Sequence, residues 1–112
     1  MSMELIQELQ QKTDELNISV RHLRKSGTAY AEAERDYKVA LRQQALKMRD
    51  DGEAVGMITL TIYGVPEIAN LRMKRDIAEA VYKANQEAIN SIKLQIRILG
   101  EVIQREWTNE SA

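Results

Sequence analysis

The sequence predicts an all-α protein: an antiparallel hairpin of two long helices that assembles as a coiled-coil-like oligomer. Apolar residues recur at helical spacing through most of the chain, which is typical of amphipathic helices. The 112 residues include one proline and no phenylalanine, so the core is expected to consist of Ile, Leu, Val, Ala and Met, which suits helix packing. A chain of this length forms a single helical domain, residues 1–112.

The second half of the chain, residues 66–107, is predicted to form one long helix. Pro66 suits its first position, where a missing amide proton costs no hydrogen bond, and Gly100 is the one internal residue that disfavours a helix. Its apolar side chains cover roughly 200° of the helix surface, about twice the width that one packing partner needs. This helix therefore requires more than one neighbour.

Residues 3–49 are predicted to form the first helical arm. A narrow apolar seam of the coiled-coil type runs along it. The seam keeps its register past Gly27, because seven residues separate Leu23 from Tyr30 and seven more lead to Tyr37. We therefore predict one helix that is bent near Gly27, in preference to two helices joined by a turn.

The connector, residues 50–65, follows the Asp-Asp-Gly sequence that ends the arm. Within it, residues 57–63 alternate apolar side chains with threonines, which is typical of a strand. A single strand has no partner in a monomer, so a short helix or an irregular cover is favoured. A strand paired between subunits is the alternative. The polar tail, residues 108–112, is expected to fray.

The excess apolar surface of the long helix predicts a homo-oligomer. A hairpin covers one side of this helix and leaves a larger exposed apolar patch than monomers usually carry. A strict heptad places its core positions from Ile68 to Ile103, and isoleucine at both core positions disfavours a simple two-stranded coil. The oligomer interface is predicted to consist of Ile89, Ile92, Ile96, Leu99 and Ile103.

Several classes of function are disfavoured by composition. The chain has no cysteine and a single histidine, His22, which is expected at the surface, so no cofactor, metal site or catalytic activity is predicted. A net charge of −1 and basic clusters without interleaved aromatic residues do not predict nucleic-acid binding. The chain also shows neither a signal peptide nor a membrane span. We expect a cytoplasmic protein.

Polar residues inside the apolar arc of the long helix need partners, because a buried polar group without a hydrogen bond is costly. In one interpretation, Asn85 and Gln95 pair across subunits and fix their register. In the other, cations and aromatic rings near the start of the helix bind an anionic small molecule such as a nucleotide. The predicted ligand-binding residues are Tyr63, Arg72, Lys74, Arg75, Tyr82 and Asn85.

Several segments carry a resemblance to a known group of proteins. They are AEAERDY at 31–37, LRMKRDIAEAVYKA at 71–84, EAIN at 87–90, KLQIRIL at 93–99 and REW at 105–107. They resemble a family of small predicted helical proteins from phages and prophages of low-GC Gram-positive bacteria, encoded in the early or recombination region. The similarity extends from about residue 5 to residue 107, and it carries no catalytic residues.

The resemblance implies a viral origin and little mechanism. From a small, oligomeric protein without catalytic chemistry we expect a phage accessory protein that acts by binding in the cytoplasm of the host cell. The favoured expectation is a counter-defence inhibitor, which either blocks a host defence protein, as anti-CRISPR proteins do, or sequesters a nucleotide immune signal. The alternative is a helical accessory or scaffold protein for phage DNA recombination or replication. Both expectations describe a non-enzymatic protein without a membrane partner.

Overall fold

A computed structural model of the protein describes residues 3–111. Within this range the chain forms three α-helices, one short 3-10 helix and no strand. Helix α1 spans Met3–Asp50, α2 spans Val55–Thr61 and α3 spans Pro66–Ser111, and the 3-10 helix Ile62–Gly64 precedes α3. The all-α prediction is confirmed. None of the helices in residues 3–111 is both long enough and apolar enough to cross a membrane.

Helix α1 runs through Gly27 without a break. The heptad register continues unchanged past Gly27, and the single helix that it predicted is confirmed. An alanine Cβ built at Gly27 would lie 3.1 Å from Cε1 of Tyr82 on α3. The glycine thus has a packing role, because it allows a tyrosine ring to approach the backbone of α1 closely.

The end of α1 is set by a Schellman motif. The amide of Glu53 donates to the carbonyl of Met48, at 3.1 Å, and the amide of Gly52 donates to that of Arg49, at 3.0 Å. This pattern requires a left-handed residue just past the helix, and Gly52 has φ of +88°. The Asp-Asp-Gly sequence therefore ends the helix as predicted, with Asp50 as its last residue.

Residues 57–63 belong to α2 and to the 3-10 helix, so the strand alternative is wrong. Ile58 and Ile62 are both buried and form a cluster with Met48, while Leu60 between them is exposed. Residues four apart share a face in a helix and also in a strand. The alternating pattern was therefore ambiguous for Ile58 and Ile62, and the exposure of Leu60 identifies the helix.

Helix α3 begins with Pro66 and continues through Gly100 to Ser111. Val65, which precedes Pro66, has an extended backbone. Its carbonyl accepts a hydrogen bond from the Ala69 amide, at 2.9 Å, in the first turn of the helix. The helix extends four residues beyond the predicted end at residue 107. Residues 108–111 of the predicted tail are thus helical, and residue 112 lies outside the described range.

The long helices contribute to two compact units. The central unit consists of residues 26–82 and contains the end of α1, all of α2 and the start of α3. The terminal unit contains the described residues up to Lys25 and those from Lys83 onward. The central unit holds the apolar cluster in which Leu41, Ala45 and Val65 pack against the buried core of α1, α2 and the 3-10 helix.

Candidate binding surfaces of α2 and α3

The heptad positions of α3 are withdrawn from solvent, as the sequence predicts for core positions. Ile68 is 1% exposed and is the most deeply buried large side chain among the described residues. Every later position of the heptad seam is buried or half-buried in the single chain. These positions are Leu71, Arg75, Ala78, Tyr82, Asn85, Ile89, Ile92, Ile96, Leu99 and Ile103.

A second apolar line on α3 remains exposed. In the central unit, Met73 is 58% exposed and Ile77 is 56% exposed, and the small side chains Ala69 and Ala80 lie beside them in solvent. At 100° per residue this line lies roughly 160° around the helix from the heptad seam. The start of α3 therefore has two apolar faces, of which its own chain covers one. We call the other the free face of α3.

The free face of α3 contains a groove of about 450 Å³. The guanidinium of Arg72 lies 5.1 Å from the centre of the Tyr63 ring, which is a cation–π distance, and these two side chains border the groove. Asp76 also lines the groove, and its carboxylate has the opposite charge to Arg72. The lining residues are Tyr63, Ala69, Arg72, Met73, Asp76, Ile77 and Ala80.

Helix α2 exposes a second apolar surface. Leu60 is 79% exposed and Val55 is 65% exposed, with Met57 also exposed. No charged residue occurs from position 54 to position 66, which is unusual for an exposed segment in a chain whose charged share is 29%. We call Val55, Met57 and Leu60 the α2 surface.

The α2 surface is less polar than its sequence indicates, because the two threonine hydroxyls of α2 form hydrogen bonds within the helix. The hydroxyl of Thr59 donates to the carbonyl of Val55 at 3.1 Å, and that of Thr61 donates to the carbonyl of Met57 at 2.8 Å. Threonine hydroxyls that bond to the preceding helical turn are satisfied within the helix. A partner that covers α2 would therefore not have to supply hydrogen bonds to these two hydroxyls.

Arg75, a predicted ligand-binding residue, is used within the central unit instead of facing an open pocket. Its guanidinium lies over the Tyr37 ring, 4.7 Å from the centroid, and its Nη1 is 3.5 Å from Oε1 of Glu34. Its Nε donates to Oδ1 of Asp76 at 2.9 Å. Burial acts to lower the pKa of Arg75, but the Asp76 hydrogen bond and the nearby carboxylates outweigh it and raise that pKa above its ordinary value.

Tyr82 is also committed to internal packing. Its ring lies against that of Tyr30, with centroids 5.9 Å apart and a tilt of 35°, and it approaches Gly27 as described above. Burial, followed by the nearby charges of Glu79 and Glu34, raises the pKa of Tyr30. These contacts explain the half-buried state of two tyrosines in a helical protein that has few aromatic residues.

The remaining predicted ligand-binding residues are Lys74 and Asn85. Lys74 is exposed. Asn85 belongs to the terminal unit, where its side-chain amide donates to the carbonyl of His22 at 3.4 Å. Of the six predicted residues, the structure brings Tyr63 and Arg72 together on the free face of α3. It places Arg75 and Tyr82 in contacts with α1.

Asn85 and Gln95, which were predicted to pair across subunits, form hydrogen bonds within their own chain instead. Gln95 is exposed, and its amide lies 3.3 Å from the Ser91 hydroxyl one turn earlier. Asn85 contacts α1 of its own chain, as noted above. His22 itself is exposed, in agreement with the sequence prediction. Within one chain, neither amide is buried without a partner.

The predicted oligomer-interface residues lie in the terminal unit. Ile89 is buried by its own chain, and Ile92, Ile96, Leu99 and Ile103 are half-buried. Leu99 also lines a groove of about 310 Å³ with four neighbours from both long helices. The four neighbours of Leu99 in this groove are Glu8, Lys12, Gln95 and Ile98. The most exposed large apolar side chains of α3 lie on other lines of the helix, so the five predicted interface residues are partly covered by their own chain.

Sequence reasoning missed the α2 surface and the division of α3 into two faces. A charge-free run of thirteen residues, 54–66, was the signal for the first. The spacing of Ala69, Met73, Ile77 and Ala80 was the signal for the second, since these residues lie on one line of a helical wheel away from the heptad seam.

Comparisons with known proteins add no assignment to these surfaces. The chain matches no protein-family model, no curated protein and no solved structure. Across residues 3–111, no group of three or more His, Cys, Asp or Glu side chains is placed to hold a metal ion.

Proposed function

We propose that this protein acts by binding another protein, without catalysis, and that the α2 surface is where the target docks. The exposure of Leu60 and its neighbours on an uncharged helix is the observation that carries the proposal. Exposed apolar patches on folded proteins commonly mark interaction sites. The target must offer an apolar, uncharged surface, because the segment has no charge with which to attract an ion.

The α2 surface is held on a rigid base, which favours binding. Ile58 and Ile62 anchor the segment in the core beside Met48, so the outward side chains are presented in a fixed arrangement. A pre-organised surface loses little conformational entropy on binding. Full burial of a Val, Met or Leu side chain contributes about 1.5–3 kcal/mol, so three of them can supply the centre of a specific interface.

The resemblance to phage proteins supplies the biological setting of the proposal, in which the target is a component of host defence. Blocking a defence protein fits the α2 surface better than sequestering a nucleotide signal. An anion would need free positive charge, and Arg75 already contacts two carboxylates, Glu34 and Asp76. We therefore favour the protein inhibitor.

The proposal includes an antiparallel hairpin and self-association. In the central unit, contacts join Tyr30 to Tyr82 and then Tyr37 to Arg75, so positions rise along α1 as they fall along α3. This order supports the hairpin. Self-association is supported by the free face of α3, because a helix with two apolar faces requires a second neighbour.

The test compares two aspartate variants in phage infection of a host whose defences are intact. Leu60→Asp should abolish the protection that the natural protein gives to the phage, because a carboxylate would be buried against an apolar target. Val39→Asp is the matched control, since Val39 is exposed on α1. It should retain protection. Circular dichroism melting should show that both variants fold.

Three results would contradict the proposal in different ways. Undiminished protection by Leu60→Asp would exclude the α2 surface as the docking site. Loss of protection in Val39→Asp alone would move the docking site to α1. A phage that needs the protein for recombination but gains nothing from it on defended hosts would favour the accessory role and exclude counter-defence.

A further inference from the structure

We propose that the free face of α3 is an isologous interface with a second copy of this chain, in which two α3 helices pack antiparallel about a two-fold axis between Met73 and Ile77. This inference rests on the self-association in the proposed function and names its surface. It differs from the sequence-based interface, which uses the heptad seam that the single chain already covers at Ile89.

The apolar line fits a second helix of the same kind. A two-fold axis between Met73 and Ile77 places Met73 of one copy against Ile77 of its partner, and the reverse. Ala69 and Ala80 lie on the same face, and their small side chains allow two helices to approach closely. Large side chains from each copy would enter the groove of the other.

The charges on this face are complementary to themselves under the same symmetry. Arg72 and Asp76 are four residues apart, and both border the groove. In an antiparallel pair, Arg72 of one copy lies near Asp76 of the other, and this occurs twice. Asp76 accepts one hydrogen bond from Arg75, and a carboxylate has further acceptor positions that can serve a second guanidinium.

Tyr63 completes the groove from outside α3. Its ring packs under the Arg72 guanidinium at 5.1 Å, which holds that charge at the border of the groove and away from its apolar floor. A partner helix would therefore meet apolar side chains at the centre and charges at the rim. This is the usual arrangement of a specific protein interface.

A charge-exchange experiment tests the inference directly. Arg72→Glu and Asp76→Arg should each weaken self-association about tenfold or more, because each places like charges together twice. A mixture of the two variants should form a heterodimer in preference to either homodimer. A chain that carries both Arg72→Glu and Asp76→Arg should recover the natural affinity. Native mass spectrometry of differently tagged chains measures all of these species.

Arg97→Glu and Glu101→Arg are the matched controls. Arg97 and Glu101 have the same charges and the same spacing on α3 as Arg72 and Asp76, are exposed, and do not line the groove. They should leave the dimer unchanged. Circular dichroism should show an intact fold in every variant.

The other outcomes overturn the inference in distinguishable ways. A natural dimer that neither Arg72→Glu nor Asp76→Arg weakens would show that copies meet on another surface, and self-association would stand. A natural chain that stays monomeric would overturn both the interface and self-association. Loss of phage protection in the Arg72→Glu variant of such a monomer would then assign the groove to the target protein.

Discussion

The central and terminal units are of similar length but differ sharply in burial. Almost all the side chains that the described structure buries belong to the central unit, and Ile89 is the exception in the terminal unit. Both units combine a segment of α1 with a segment of α3. The central unit additionally contains α2, whose Ile58 and Ile62 close its core against Met48.

Part of this difference comes from a third element, because Met48 of α1 is buried in a cluster with Ile58 of α2 and Ile62 of the 3-10 helix. Two helices meet along a line, and each leaves much of its circumference in water. The seven-residue helix α2 supplies the missing neighbour in the central unit, at the cost of exposing its own outer side. In the terminal unit, exposed side chains such as Leu94 and Ile98 have no comparable cover within the described chain.

The largest expected contrast between the units is in the cost of removing a side chain. Ile68→Ala should destabilise the fold by about 2–5 kcal/mol, because Ile68 is 1% exposed and its loss creates a cavity. Ile98→Ala, at 50% exposure, should change stability by about 0.5 kcal/mol or less. Urea denaturation at one fixed protein concentration measures both. Equal costs would remove the distinction between the units.

A smaller effect is expected from the Arg75 cluster. Arg75→Ala removes the stack on Tyr37 and the ion pair with Glu34, and should cost about 1–2 kcal/mol. Arg75→Lys keeps the charge but loses the planar stack, so it should recover only part of this amount. Arg97→Ala, at an exposed position of the terminal unit, is the control. A cost for Arg75→Ala no larger than the control would show that the cluster adds no stability.

The glycines inside the two long helices, Gly27 and Gly100, sharpen the comparison further. Gly100→Ala should stabilise the protein by about 0.5–1 kcal/mol, since an added Cβ meets nothing within 4 Å. Gly27→Ala should lose that gain or reverse it, because its Cβ would lie 3.1 Å from the Tyr82 ring. Thermal melts of the two variants provide the comparison. An equal gain at both positions would show that the ring moves aside freely.

The sequence predicted the backbone well because the main signals are local. The heptad register across Gly27 and the Asp-Asp-Gly stop at the end of α1 depend on neighbouring residues, and both are confirmed. The heptad seam of α3 also marked the covered positions correctly, from Ile68 to Ile103. Periodicity does not say which neighbour covers a face, so the oligomer interface at Ile89, Ile92, Ile96, Leu99 and Ile103 stays a prediction.

The candidate site was harder to predict because its contacts join distant residues. Arg75 has Asp76 beside it in sequence, but Glu34 and Tyr37 reach it from α1. The spacing of cations on one helix could not show that Arg75 is already paired while Arg72 borders a groove. Residues 57–63 alternate in a strand-like pattern that groups Leu60 with the buried Ile58 and Ile62, and this pattern hid the exposed surface of α2.

Self-association is tested by sedimentation equilibrium of the natural chain across the micromolar range, with circular dichroism on the same samples. We expect a helical dimer of twice the chain mass of 12.8 kDa, with a midpoint of thermal unfolding that rises with protein concentration because dissociation accompanies unfolding. A fully folded monomer of 12.8 kDa, with a midpoint independent of concentration, would contradict it.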